Sequence, residues 1–545
     1  MNCAVDAAVR FRFKNPMNRT GEPSVAELMA QLAANAAEIA ALKAEKEALS
    51  ARVVKLEEEL ALARLHRFTP RSEKHVDRIF DEAEQVADED DASGEDGEVV
   101  DLPETGFATI EKPEGKKRGR KPLPEHLPRE RVEHDPPDDQ KACPCCHGQM
   151  HRMGESVTEQ LHIEVKAKVL QNVRFKYACR HCDRTGINTP IVIAPMPAQP
   201  LPGSIATAST LAFALVHKYV DGTPLYRLAQ AFERAGVPVS RGALGHWVIG
   251  SSERHLSRIY DALKLRLRSQ PLIHGDETTV QVLKEKDREA TGTSFMWAYR
   301  SGEDSAEPIV LDYQPGRGQI YPQAFLGDYR GILMSDGYTA WRTLAGATHI
   351  GCMAHSRRRF IDALKTRKKG GGPPEQALKF FEQLYRIESQ AKNEKPEVGE
   401  TQADCIRRFR QQHSVPILIA LKAWLDDIAP KVLPDSKIGD AVSYTLNQWE
   451  YLTRYTEDGR MSIDNNLLER DIRIFATGRK SWLFSDTVEG ARASAVVYSI
   501  MLTCRACGVE PLAYLRHVLS ELPQRATDTD ITDLLPFNFT KAAAA

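Results

Sequence analysis

The chain has 545 residues, enough for several domains, and a net charge of only −2 with 27% charged residues. That balance excludes a uniformly basic polyanion binder, so any nucleic-acid surface must come from local segregation of charge. No unbroken apolar run approaches the roughly 18–20 residues of a membrane span, and MNCAVDAAVRFRFKNPMNRT has no signal-peptide core. A cytoplasmic chain without a membrane partner is expected. Its ten cysteines cluster, which in a reducing compartment suggests metal rather than disulfides.

Residues 24–67 carry a heptad pattern. Leu28, Asn35, Leu42, Leu49, Leu56 and Ala63 take the d positions, and Leu32, Ile39, Lys46, Val53 and Leu60 the a positions. Glu38 to Lys43 and Arg52 to Glu57 have the g-to-e′ spacing of a parallel dimer, so a coiled coil joining a homodimer or higher assembly is expected. A single amphipathic helix packed on its own chain is the other reading. Residues 79–125 form a linker that is first acidic and too poor in large apolar groups to fold alone, then basic. Within it Arg118-Gly-Arg120-Lys-Pro122 resembles an AT-hook, whose arginines lie in a narrow minor groove. A solvated basic linker is the plainer account.

Residues 135–190 hold two CxxC pairs, Cys143 with Cys146 and Cys179 with Cys182. Four thiolates suit a closed tetrahedral Zn²⁺ site, structural rather than catalytic, with a β-hairpin between the pairs to bring them together. Residues 200–268 read as helices. A turn through Gly236 and Pro238 and an N-cap at Ser240 suggest a helix-turn-helix-like DNA-binding region, with Arg241, His246 and Trp247 on its second helix. An ordinary helical pair fits the same pattern.

Residues 271–482 then give three strands, a helix and two strands, the order of a ribonuclease H-like sheet, interrupted by a helical insertion at about 360–448. Asp276 in HGDETT and Asp336 in MSDGYT each end an apolar run. Two such carboxylates with a third from the helix near NNLLERDIR would form a hard-oxygen cage for Mg²⁺, suited to phosphoryl displacement. Glu469 and Asp471 both qualify as the third, and periodicity does not choose between them. Each acid taken singly also reads as a turn or a solvated helix face. The helix is expected to begin near Asp464 as cap. Arg357, Arg358 and Arg359 follow the second acid, and Arg470, Arg473, Arg479 and Lys480 flank the third, as phosphate contacts would. A C-terminal helical domain over 488–525 contains Cys504 and Cys507, read as buried thiols rather than a second metal site.

Taken together, HGDET, SDGYTAW, GCMAHSRRRF and SIDNNLLERDIRIFATGRKSWLFS closely resemble the DDE transposases of bacterial insertion sequence 66, over nearly the whole chain. The resemblance implies a multidomain α+β chain: an N-terminal coiled coil, a zinc-knuckle segment, a helical DNA-binding region, a ribonuclease H-like catalytic core with its helical insertion, and a short helical C-terminal piece. It implies catalytic Asp276, Asp336 and Glu469, choosing Glu469 over Asp471. It further implies Mg²⁺ or Mn²⁺ as catalytic ion, DNA as substrate in the form of element terminal repeats and target, and accessory proteins from the same element. Cys352 and His355 match a C-x-x-H pattern of related transposases and would support the active site; a core cysteine and a phosphate-contacting histidine is the other reading. The expected activity is strand cleavage and strand transfer. A catalytically silent DNA-binding regulator is the alternative, and the three intact acids argue against it.

Overall fold

The computed structural model describes residues 25–68, 167–178, 191–302, 308–367 and 371–539, with side chains of the first helix described to residue 61. Arg118, Arg120, Cys143, Cys146, Cys179 and Cys182, and the linker at 79–125, lie outside the described residues. The chain divides into two compact units.

In the smaller unit the described strands are β1 (Lys176–Ala178) and β2 (Ile191–Ile193), paired antiparallel with Tyr177 opposite Val192. This ladder joins chain on either side of the second cysteine pair. Most of the segment expected to form a hairpin between the two pairs lies outside the described residues.

The larger unit begins with α1 (Val25–Phe68). Its large apolar a and d residues from Leu28 to Leu60 are exposed, from 45% at Leu28 to 64% at Leu32, so this apolar seam is not packed on the chain's own core. Instead Ala51, Val54, Glu58 and Ala61, at the b and f positions, are half-buried, and Glu58 Oε2 accepts from the backbone N–H of Lys437 at 2.7 Å. By length and composition the stretch Val25–Ala61 could also cross a membrane, although it contains no long unbroken apolar run. Its mean hydropathy comes largely from alanine, and Glu27, Gln31, Asn35 and Glu38 interrupt it.

Helices α2 (Ala208–Tyr219), α3 (Leu225–Arg234), α4 (Arg241–Ser251) and α5 (Ser257–Arg268) follow. Ser240 caps α4 as expected, its hydroxyl accepting from Ala243 N at 3.1 Å, and Gly236 supplies the left-handed turn at φ +77°. Arg241 and His246 are exposed. Trp247 is only 4% exposed and packs edge-on to Phe232, so it belongs to the core and is not free to read DNA.

The sheet comprises β3 (Leu272–Lys284), β4 (Thr293–Ser301), β5 (Ile309–Gln314), β6 (Ile332–Ser335), β7 (Thr348–Gly351) and, after the helical stretch, β8 (Ser485–Thr487); α6 (Ile320–Leu326) stands between β5 and β6. The strand order is β5-β4-β3-β6-β7, with β8 pairing the far end of β3. β3, β4 and β5 form an antiparallel meander, whereas β6 and β7 run parallel to β3. The first four residues of β3 are buried, as expected of a strand flanked on both edges and covered on both faces.

After β7 come α7 (Met353–Lys365), α8 (Pro373–Asn393), α9 (Gln402–Ile428) and α10 (Lys437–Asn447). Thr401 and Ser436 cap α9 and α10. These helices do not form a core of their own. Phe360, Phe381, Leu384, Leu421, Leu425 and Val442 join one buried cluster with Met334 and Ile350 of the parallel strands. Their burial therefore stiffens the edge of the sheet that carries Asp336.

The chain then forms α11 (Asn466–Trp482), α12 (Val488–Ala506) and α13 (Pro511–Glu521). α12 is buried on nearly all sides and covers the edge strand β5 in an unusual way. Ser499 Oγ accepts from Leu311 N at 2.8 Å and Thr503 Oγ1 accepts from Ile309 N at 3.1 Å, so helix hydroxyls satisfy backbone donors that a further strand would otherwise take. Ser499→Ala and Thr503→Val should each cost about 1–3 kcal/mol, because each leaves a buried N–H unpaired. Chemical denaturation of the two variants checks this; a combined loss below about 1 kcal/mol would show that water replaces the hydroxyls. Cys504 is buried and Cys507 half-buried.

Candidate active site

Strand register places the first two acids together. His274 of β3 pairs with Met334 of β6, so Asp276 and Asp336 each lie two residues beyond one paired level on adjacent parallel strands. β6 stops at Ser335, but β3 does not end at Asp276 as its apolar run suggested. It continues to Lys284. Between Gly275 and Gln281 no described strand flanks β3 on its β6 side, because β8 begins to pair only at Val282. Asp276 sits in that gap. Asp336 opens a tight turn, its Oδ1 accepting from Tyr338 N at 2.9 Å.

The pleat separates Asp276 from its neighbour Glu277. Asp276 shares a face with His274, whereas Glu277 points to the opposite face, where Arg317 and the Trp341 Nε1–H hold its carboxylate. Gly275 has no side chain because Trp341 occupies the space: a Cβ there would lie 2.6 Å from Trp341 Cζ3.

The third acid arrives on α11. Asp464 does cap this helix in effect, its Oδ1 accepting from Asn466 N at 3.0 Å, but the residue at the cap position is Asn465. The fully buried Asn465 side chain turns away from the helix. Its Oδ1 pairs with His274 Nδ1 at 2.9 Å and its Nδ2 donates to the Gly275 carbonyl at 3.2 Å, while its backbone N–H donates to Cys352 Sγ at 3.2 Å. One residue thus ties the start of α11 to the strand carrying Asp276 and to the start of α7. Glu469 follows one turn later. Arg358 donates to its Oε2 at 3.0 Å, and His355 Nδ1 stands 3.8 Å from its Oε1. Asp471, two residues on, points elsewhere and is ion-paired to Arg300 of β4. Tertiary packing distinguishes two acids that helical periodicity left equivalent.

The electrostatics register this crowding. Burial pushes the Asp276 carboxyl well above the usual carboxylate range, and the charges of Glu277, Asp336 and Glu469 push it further. Burial also raises Glu277, against the pull of Arg317. A cluster of acids that raises its own proton affinity is the environment a divalent cation relieves. Carboxylate oxygens are hard donors of the kind Mg²⁺ and Mn²⁺ accept, so the residues present fit such an ion. Among the described residues, Cys352, His355 and Glu469 place one donor atom each within 4.8 Å of one another, a grouping able to hold a metal, and Asp276 and Asp336 are not part of it. Burial raises the Cys352 thiol well above its ordinary range, and its sulfur accepts a hydrogen bond from the Asn465 backbone N–H. Burial likewise lowers His355, opposed by Glu469.

The basic residues divide. Arg358 engages Glu469, whereas Arg479 donates to the Thr279 hydroxyl at 2.9 Å, three residues beyond Asp276 on β3. Arg357 is half-buried and Arg359 pairs with Asp440. Arg470, Arg473 and Lys480 are exposed on α11. Asn465, His274 and Arg317 were not picked out from the sequence. Asn465 had one local signal, a polar residue at a helix start, but its partners are 190 and 191 residues distant in the chain and no local pattern reveals them.

Four family models match. That described as the transposase IS66 family covers residues 203–493, and that described as the zinc-finger binding domain of transposase IS66 covers 140–183. The IS66 C-terminal element covers 499–537, and a model described as transposase C of IS166 homeodomain covers 55–132. The chain belongs to the IS66 transposase family. Three relatives from Sinorhizobium fredii, all described as uncharacterized proteins, resemble this IS66 chain over most of their length. y4jD is 32% identical, covering 76% of this chain and 81% of the relative; y4hP is 30% identical, covering 87% of each; y4qI is 31% identical, covering 94% and 93%. The zinc-finger match spans Cys143, Cys146, Cys179 and Cys182 and supports a structural zinc. Membership supports a DNA-processing role and a divalent metal.

Proposed function

We propose that this IS66 family chain is a DNA transposase that cuts and rejoins strands at Asp276, Asp336 and Glu469. The reading is supported by three observations: Asp276 and Asp336 lie at one level of neighbouring parallel strands, Asn465 ties the start of the Glu469 helix to the Asp276 strand, and the charges of Asp336 and Glu469 both act on Asp276. The sheet order, an antiparallel meander extended by two parallel strands, supports a ribonuclease H-like core. The three acids would hold Mg²⁺ or Mn²⁺, which when bound activates an attacking oxygen and stabilises the leaving one.

The chain's own residues supply the rest. Arg358 fixes the Glu469 carboxylate, with His355 3.8 Å from its other oxygen, and the Asp336 turn fixes the Asp336 carboxylate. Arg470, Arg473 and Lys480 contact phosphates, so the DNA backbone follows α11 toward the acids. Water attacks to free a 3′ end, and that 3′ hydroxyl attacks target DNA, without a covalent protein–DNA intermediate.

Outside the core, Cys143, Cys146, Cys179 and Cys182 bind Zn²⁺, and the basic linker with Arg118 and Arg120, together with Arg241, contacts element ends. The exposed a/d seam of α1 pairs with a second copy as a coiled coil, while its b/f face stays on the body. Metal analysis and sedimentation of the purified chain test both points: one zinc per chain lost in Cys143→Ser, and a dimer that becomes monomeric when Leu42 and Leu49 are changed to Asp. A zinc-free or monomeric wild type refutes the corresponding assignment.

The decisive experiment supplies Mg²⁺ and labelled duplex carrying the element's own ends, and compares wild type with Asp336→Ala for binding, cleavage and joining. Cleavage by wild type alone supports the reading. Binding by both with cleavage by neither, even with the element's accessory proteins added, would instead make the chain a silent DNA-binding regulator.

A further inference from the structure

The far end of α11 is built in a way that metal binding and strand transfer do not require. Leu483 has φ +68° and ψ −54°, and the Phe484 N–H donates to the Trp482 carbonyl at 2.9 Å. This is the rare, strained form of γ-turn, disfavoured for a residue with a Cβ. It is held from both sides: Leu483 N donates to Arg479 O at 2.7 Å, and Ser485 enters β8 opposite Val282. Strain of this kind persists only where surrounding structure enforces it, and it concentrates at ligand clamps. The turn's product is two large apolar side chains facing outward, Leu483 at 64% and Phe484 at 42% exposure.

Beside the turn lies an open pocket of about 540 Å³, lined by Thr279, Gln281, Thr293, Arg479, Lys480 and Leu483. Thr279 and Gln281 stand three and five residues beyond Asp276 on the same strand, roughly 10–17 Å away at the strand rise. Arg470, Arg473 and Lys480 fall at i, i+3 and i+10, so one helix face carries positive charge from the first turn, where Glu469 sits, to the pocket.

We propose that this pocket takes one unpaired nucleotide of the DNA substrate, a few nucleotides from the cut. The inference rests on the transposase reading above. The base lies against Leu483 in the pocket and reaches the exposed ring of Phe484, the next residue and not itself part of the lining, to stack on it; its polar rim meets Thr279, Gln281 and Thr293, and its phosphate meets Lys480. A base can offer its face to a protein ring only after leaving its own stack, and the polar lining can hydrogen-bond any base edge. An unpaired nucleotide therefore fits better than duplex, and Leu483 is the wedge that keeps the neighbouring pair from closing over it.

The test measures affinity of the full-length chain for two labelled duplexes of one sequence, the element's end, one blunt and one with three mismatched terminal nucleotides. 2-Aminopurine among the mismatched positions reports stacking. Wild type should bind the frayed duplex about tenfold more tightly and quench the 2-aminopurine. Phe484→Ala should bring the two affinities within about twofold and abolish the quenching, with blunt-duplex affinity unchanged. Leu483→Gly, which relieves the turn and so should not weaken the fold, should lose part of the preference. Equal affinity of wild type for the two duplexes, or a preference that survives Phe484→Ala, overturns the proposal and leaves the transposase reading standing. Failure of wild type to bind either duplex removes both.

Discussion

Asp336→Asn should abolish strand cleavage while leaving DNA affinity within about threefold. The amide still offers an oxygen to Tyr338 N, so the turn that Asp336 opens is retained and only the charge is lost. A divalent ion placed by three carboxylates contributes several kcal/mol to a phosphoryl transition state, and about 4 kcal/mol corresponds to roughly 10³-fold in rate. Asp336→Ala should lose as much activity and in addition about 1 kcal/mol of stability with the turn. Affinity should survive because the exposed arginines and lysine of α11 are untouched. A second readout needs no DNA. Burial and the charges of Glu277, Asp336 and Glu469 push up the proton affinity of Asp276, and a bound cation offsets that repulsion, so Mg²⁺ should raise the unfolding temperature of wild type and have a much smaller effect on Asp336→Asn. Cleavage by Asp336→Asn above a tenth of the wild-type rate would show that the metal centre lies elsewhere, with Cys352, His355 and Glu469 the next grouping to examine.

Arg410→Met should be the most destabilising change on the helical side of the core, by about 3–5 kcal/mol. The Arg410 side chain is 4% exposed and its partner Glu388 8%. The pair is bidentate, Nε to Oε1 at 2.9 Å and Nη2 to Oε2 at 2.6 Å, and Nη1 also donates to the carbonyls of Tyr455 and Asp458 at 2.7 and 3.1 Å. The bridge links α8 and α9 to the chain that leads from the helical stretch back to α11. Removing Arg410 strands a buried carboxylate and two carbonyls. Replacing both partners, as Glu388→Leu with Arg410→Met, should recover part of the loss, because no uncompensated charge remains. Denaturant unfolding of the three chains settles the matter. If the double variant is no more stable than Arg410→Met, the carbonyl contacts rather than the ion pair hold this junction.

Several features were legible locally. The heptads of α1, the cap at Ser240, and the order of strands from β3 to β7 follow from patterns that repeat within one or two turns or along one strand. Hydrophobic period and capping chemistry are short-range, so a single chain displays them without its fold. Trp247 shows where such reading fails. Helical spacing put it beside Arg241 on a candidate recognition helix, yet burial is set by what the helix meets, and this side chain meets the core. Asp276 shows the same for strands: its apolar run ends, but the strand continues because β4 pairs with it through Gln281.

The sequence by itself determined which residues could serve: acids after apolar runs, paired cysteines, a heptad seam, and basic residues close to the acids. Only the tertiary structure decided which of them meet. Register between β3 and β6 aligned Asp276 with Asp336, and the buried Asn465 oriented α11 so that Glu469 faces His355 and Arg358 while Asp471 faces Arg300. The physical reason is range. Propensity and periodicity are properties of neighbours in the chain, whereas the electrostatic cost and use of a carboxylate depend on charges that folding brings to it from residues scores of positions away.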